Sequence, residues 1–204
     1  DVRFESTRSA RYDATVTGND VTGFTTTGVA VEAQADPGAA LELSENALTN
    51  AGTAATGIAI QTTSKNSSGN GTLGVTRNSI HTGGDGIVIN EDDPGDGPVD
   101  ALEITYNVLN ATDYGVRNYN TASDGQGRAW VTATNNYWGA AGGPGSAGPD
   151  ADPVTGALAD GSGANVSEGG DAGVANVHFD PVLPSATPSV FFVAAESTDT
   201  PVTA

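Results

Sequence analysis

Along this chain apolar and polar residues alternate in short bursts, and the bursts recur. Apolar pairs two residues apart stand at Ala14 and Val16, Leu41 and Leu43, Leu73 and Val75, Leu102 and Ile104, and Val131 and Ala133. A period of two is that of a strand with one face buried. Three residues after each pair comes an asparagine, at Asn19, Asn46, Asn78, Asn107 and Asn136, and two further on a large or branched apolar residue, at Val21, Leu48, Ile80, Leu109 and Trp138. Four glycines, Gly28, Gly57, Gly86 and Gly115, follow at identical intervals of 29 residues. The first three open a second alternating stretch, Val29 and Val31, Ile58 and Ile60, Ile87 and Ile89; in the fourth, Val116 is followed by Asn118.

A fixed period in this range marks a repeat architecture, in which each unit buries its apolar face only by stacking on its neighbours. Two or three short strands per 29 residues fit one turn of a parallel β-solenoid. Helical repeats are disfavoured because the units are dense in Thr, Gly and Asn and carry no apolar stripe at 3.6 spacing. The expectation is an all-β, right-handed parallel β-helix of about five rungs. At ~4.8 Å per rung it makes a rod of about 25 Å.

The repeats divide the chain into rungs over residues 1–140, a Gly/Pro/Asp-rich C-terminal cap and loop region over 141–183, and a Pro/Thr/Ser-rich extended tail over 184–204. Val2 and Phe4 stand at strand spacing and predict a degenerate first rung, the atypical end that solenoids need. The region beyond Trp138 is too poor in apolar residues to pack a unit of its own. Within the tail, Val190, Phe191, Phe192 and Val193 form one apolar patch, which suits docking on the rod or assembly with another copy of the chain or another surface protein.

Twenty-five acidic against 7 basic side chains give a net charge of −18, and Lys65 is the single lysine. Such a charge repels nucleic acid and anionic membranes, and no apolar run approaches the ~18 residues of a membrane span. An acidic, lysine-poor surface is what high salt tolerates, so a halophilic source is expected. The 204 residues contain no cysteine and no methionine. The chain therefore reads as part of a longer product, without disulfides or thiolate chemistry. Four Asn-X-Ser/Thr sequons, at Asn66, Asn70, Asn110 and Asn165, fall in segments read as turns or loops and point to an exterior, glycosylated protein, on a cell or virion surface.

At Asn135-Asn136-Tyr137-Trp138-Gly139, followed by Gly143-Pro144 and by Val177-His178-Phe179-Asp180-Pro181-Val182-Leu183, the chain resembles right-handed parallel β-helix repeat proteins of the pectate-lyase-like superfamily. The resemblance covers most of residues 14–183; beside it, Trp138 takes the register of the earlier aliphatics and is expected to cap the open end of the core. The resemblance implies no single activity, because that superfamily spans lyases, hydrolases, epimerases, spikes and catalytically silent surface proteins.

Rung-by-rung alignment offers each column for a chemical test. Four places before the asparagines stand Thr15, Glu42, Gly74, Glu103 and Thr132, so Glu42 and Glu103 share a face two rungs apart, roughly 9.6 Å. That separation suits an inverting pair of carboxylates, and it carries the alternative reading of a polysaccharide-active lyase or hydrolase. No Asp-Asp, Gly-His-Gly or Arg-x-Lys cluster accompanies the pair, so the main reading is a non-catalytic structural or adhesive module that contacts glycans or self-assembles. One place before each asparagine, Glu45 stacks beneath Arg77 and Arg77 beneath Tyr106, a structural ion pair with cation–π support. The asparagines themselves form a ladder. Two places before them stand Thr17, Ser44, Thr76, Thr105 and Thr134; the column resembles the grid of an ice-binding solenoid, but Glu42, Gly74 and Glu103 interrupt the column beside it. Glu91, Asp92, Asp93, Asp96 and Asp100 gather the hard oxygen ligands that Ca2+ takes, without EF-hand spacing; no other cofactor is implied. His81, read as a loop residue, and His178, read as an exposed strand residue, lie on different units, which disfavours Zn2+.

Overall fold

The computed structural model describes residues 2–5, 13–33, 40–62, 72–91, 102–119, 130–146, 150–167 and 173–186. Among them there is no helix, and the strands form three parallel sheets. The first sheet runs β1 (Val2–Glu5), β4 (Thr27–Ala33), β7 (Thr56–Thr62), β10 (Ile87–Glu91), β13 (Tyr114–Asn118), β16 (Gly163–Val166) and β15 (Pro144–Gly145). The second runs β2 (Asp13–Thr17), β5 (Ala40–Ser44), β8 (Thr72–Thr76), β11 (Leu102–Thr105), β14 (Val131–Thr132) and β17 (Val177–His178). The third runs β3 (Asp20–Thr22), β6 (Ala47–Thr53), β9 (Ser79–Gly83) and β12 (Val108–Ala111). The chain visits second, third and first sheet in turn and then repeats, pairing each strand with its equivalent one circuit later, an arrangement compatible with a parallel β-helix.

Register explains the apolar pattern. Ala14, Leu41, Leu73 and Leu102 pair in succession, as do Val29, Ile58, Ile87 and Val116, and Leu48, Ile80 and Leu109. Like side chains thus stack one inter-strand spacing apart and belong to one buried cluster, with the half-buried Ala14 packed against it. Each fully buried aliphatic contributes on the order of 2 kcal/mol over exposure.

The glycine beat has a steric cause. A Cβ on Gly28, Gly57 or Gly86 would lie 2.8, 2.7 or 2.6 Å from the carbonyl oxygen of the next glycine in the series, and one on Gly115 would lie 2.6 Å from Cε3 of Trp138. Here the strands pack too closely for any side chain, so Gly recurs once per circuit.

The turn between the second and third sheets uses a different device. Gly18, Glu45, Arg77, Tyr106 and Asn135 all adopt the left-handed conformation, with φ of 68°, 58°, 55°, 61° and 55°. Besides stacking its side chains, that column makes the backbone turn that swings the following asparagine inward.

Beyond Trp138 the chain joins the same core: Ala159, Val166, Ala175, Val177 and Phe179 belong to the buried cluster, and Ala164 is buried as well. Small residues pack where the chain crosses the end of the stack: Ala164 N donates to Trp138 O at 2.7 Å, and Leu183 N donates to Asn136 O at 2.9 Å. Asn118, which interrupts the apolar series, is buried and bonded there. Its backbone N–H donates to Ser167 Oγ at 2.9 Å and its Nδ2 donates to Asn176 O at 3.0 Å.

Candidate functional site

Alternation leaves one face of the second sheet pointing outward, and parallel register aligns its residues into columns. Thr15, Glu42, Gly74 and Glu103 follow one another in register, continued by Thr132 and His178. Over the first four lies a shallow groove of about 370 Å3, lined also by Ala14, Ala40, Thr72 and Thr76. Gly74 forms its floor: a Cβ there would meet nothing closer than a Thr76 methyl at 3.9 Å, so the slot is open to solvent. Glu42 and Glu103 are both exposed on either side of it.

Glu42 is not alone. Arg77, projecting from the turn one strand further on, has Nη2 3.8 Å from Glu42 Oε1 and Nε 3.3 Å from Glu45 Oε1. All three side chains are about half exposed, at 48%, 48% and 60%, so the pairs contribute at most ~1 kcal/mol each. Trp130, just before β14, is 42% exposed. By alternation with buried Val131 it belongs to the outer face of the second sheet, one strand beyond Glu103. Its signal in the sequence was an aromatic immediately ahead of an inward valine, hidden by the loop composition before it.

A second constellation forms at the far end of the same column, and no motif announces it. Asp152, whose side chain is 0% exposed, accepts N–H bonds from Val154 at 2.8 Å, Thr155 at 2.9 Å, Phe179 at 2.7 Å and Asp180 at 3.0 Å. His178 Nδ1 lies 3.0 Å from both carboxylate oxygens, so His178, expected as an exposed strand residue, is half-buried and engaged. Burial works against the Asp152 charge, yet the Asp180, Thr155 and Val154 amides and the His178 ring outweigh it and hold the carboxyl at about 2, below its usual 3.8. An ionised carboxylate only accepts, so Nδ1 carries the proton. A carboxyl depressed on folding stabilises the native state above its unfolded value and loses that contribution as pH falls through the folded one. Asp152→Asn is therefore expected to cost about 2 kcal/mol at pH 7 and to remove that share of the stability loss between pH 4 and pH 2, read from urea midpoints across the range. Equal pH slopes for the two proteins would count against the assignment.

Two further clusters occupy other faces. Arg117 donates to Asp85 Oδ2 at 3.2 Å and lies 4.6 and 4.8 Å from the ring centroids of Tyr114 and Tyr119. On the third sheet His81 lies in β9, not in a loop, and its Nδ1 is 3.1 Å from Asn110 Nδ2.

Inside the turn, the asparagines make a continuous run. Asn19, Asn46, Asn78 and Asn107 each donate from Nδ2 to Oδ1 of the next, at 2.9 Å in the first step and 3.0 Å in the others. Their backbone N–H groups donate to the same oxygens at 3.1, 3.0, 2.9 and 2.8 Å. These amides are committed to the fold and offer nothing to a ligand.

Of the candidate Ca2+ ligands, Glu91 ends β10, and Asp92, Asp93, Asp96 and Asp100 lie outside the described residues, as do Asn66, Asn70 and the tail patch Val190, Phe191, Phe192 and Val193. Among the described residues no three His, Asp or Glu side chains gather as a metal site. The sequons at Asn110 and Asn165 were expected in loops and are instead in strands β12 and β16, because each alternates with inward apolar neighbours, Leu109 and Val166. Compared with known proteins, the chain matches no family model, no curated protein and no solved structure.

Proposed function

We propose that the chain is a right-handed parallel β-helix of about five rungs with a C-terminal cap, serving as a non-catalytic structural and adhesive module of an extracellular, surface-associated protein from a halophile. In this reading its outer second sheet contacts neutral glycans, and further copies of the chain or neighbouring surface proteins join through the tail. The observation that carries it is the open groove over Gly74, flanked by Glu42, Glu103 and the threonine hydroxyls. Such a shallow trough, in which carboxylates and hydroxyls stand beside the apolar surface of Ala14, Ala40, Leu41 and Leu73, suits an extended sugar chain with its polar edges and apolar ring faces, and the exposed Trp130 beyond it offers an indole face for a sugar ring. The charge of −18 favours neutral over acidic polysaccharides. Glu42 is drawn into the Arg77 and Glu45 cluster, which supports a structural rather than a catalytic use.

Affinity chromatography on immobilised neutral polysaccharides, with reducing ends assayed in the same samples, tests both readings. Gly74→Trp fills the groove and is expected to weaken retention at least ~10-fold, about 1.4 kcal/mol, while Glu42→Gln with Glu103→Gln leaves the chain bound. Unchanged retention of Gly74→Trp would sink the glycan face. Release of reducing ends that disappears in the double glutamine variant would instead establish the polysaccharide-active alternative.

A further inference from the structure

Two sequons fall within the described residues, and their surroundings separate them. The amide of Asn110 and the hydroxyl of Thr112 are both on exposed residues. Asn110 lies on β12, the last strand of the third sheet, with its Nδ2 3.1 Å from His81 Nδ1. Among the described residues, Thr112 Oγ1 makes only a long bond, to Thr82 O at 3.4 Å. Beyond β12 the backbone of Tyr137 still pairs with Asn107 and Leu109, and the residue nearest Asn110 there is Gly139, which brings no side chain against it. A groove of about 260 Å3 lined by Thr49, Asn50, His81 and Asn110 runs along the same face, with room for a first sugar.

The Asn165 sequon is the reverse. Strand β16 is flanked on both sides, by β13 and β15, and Asn165 is half-buried, with Oδ1 2.9 Å from where a Cβ on Gly145 would stand. Its hydroxyl residue, Ser167, is 7% exposed. Ser167 Oγ donates to Asn176 Oδ1 at 2.6 Å and accepts from Asn118 N at 2.9 Å, inside the polar pin that closes the end of the core. A transferase must reach both the asparagine amide and the hydroxyl two residues on. Here the fold has committed that hydroxyl.

We propose that Asn110 is an N-glycosylation site of this protein and that the folded Asn165 sequon is silent. In the transfer the Asn110 Nδ2–C1 bond forms as the C1–O bond of a glycosyl phosphate donor breaks; the phosphate departs with the electron pair, and one Nδ2 proton is released. The secondary amide keeps one N–H for His81. A glycan there covers the third sheet and leaves the groove on the second sheet clear, so decoration and ligand contact use different faces.

The test reads acceptor access, independently of whether the second sheet binds glycans. The full chain is secreted from a host that N-glycosylates, carrying a flexible C-terminal sequon tag that the host is shown to modify, and glycopeptides are mapped by mass spectrometry. Asn110 is expected to be occupied in most molecules and Asn165 bare, with Thr112→Ala removing the Asn110 glycan while leaving the melting temperature within a degree or two. A modified tag with bare Asn110, or a glycan on Asn165 in folded protein, overturns the proposal.

Discussion

Asn107→Ala lowers stability by about 4 kcal/mol, the largest expected effect of removing one polar side chain from this protein. Asn107 Oδ1 accepts from the backbone N and the Nδ2 of Asn78, at 2.9 and 3.0 Å, and its Nδ2 donates to Val75 O at 2.8 Å and Asn136 Oδ1 at 3.0 Å. Asn78, Asn107 and Asn136 are 1%, 0% and 0% exposed, so water does not readily replace what is lost. Each orphaned buried group costs ~1 to 3 kcal/mol, and partial relaxation brings the sum to about 4. For a chain of this size that is a fall in Tm of roughly 10 °C. Asn19 makes the same kind of donation from an exposed position. Asn19→Ala is expected to cost under ~1 kcal/mol, since Asn46 Oδ1 keeps the Asn19 backbone N–H and Thr17 O is exposed to water. Urea unfolding of both variants checks the gradient, and equal losses would refute a buried ladder as the source of stability.

Trp138→Ala is expected to cost a similar amount, about 4 kcal/mol, through the cavity it leaves. Trp138 is 0% exposed and follows Leu48, Ile80 and Leu109 along the third-sheet side of the core. Its ring fills the hollow above Gly115, and among the described residues its buried Nε1 has no hydrogen-bond partner. Trp138→Phe keeps most of the contact and deletes that unpaired donor, so its expected cost is below ~1.5 kcal/mol. The two positions are coupled. Gly115→Ala drives a methyl into the indole in the native protein but not in Trp138→Ala, so a double-mutant cycle gives an interaction of at least ~1 kcal/mol favouring the pair. Strict additivity would show that the glycine is there for another reason.

Much of this molecule was legible because stacking turns spacing into geometry. The inward leucines and isoleucines, the outward Glu42, Gly74 and Glu103, and the asparagine run all follow from one period, and the register places them in successive strands. What escaped was everything made by one-off contacts. Asp152 and His178 are 26 residues apart and belong to no repeat, so nothing in their spacing announced that the fold would bring them within 3.0 Å. Arg77 was legible as a partner of Glu45 directly below it in the column. Its reach across to Glu42, off the column, was not.

The same division explains the sequons. A chain pattern identifies Asn-X-Ser/Thr, but accessibility depends on what packs beside it, and Ser167 is buried by Asn118 and Asn176, 49 and 9 residues away. By itself the sequence determined the strand period, the parallel repeat, the acidic surface and the columns, because these are set by local alternation and by like residues recurring at one interval. Only the tertiary structure decided that glycine is required for close carbonyl approach, that the residues before the asparagines turn left-handed, that Asp152 is a buried anion, and which face is left open. The first two recur with the period but are matters of backbone distance and dihedral angle, which a column of residue types does not state; the last two depend on contacts between segments that no periodicity relates.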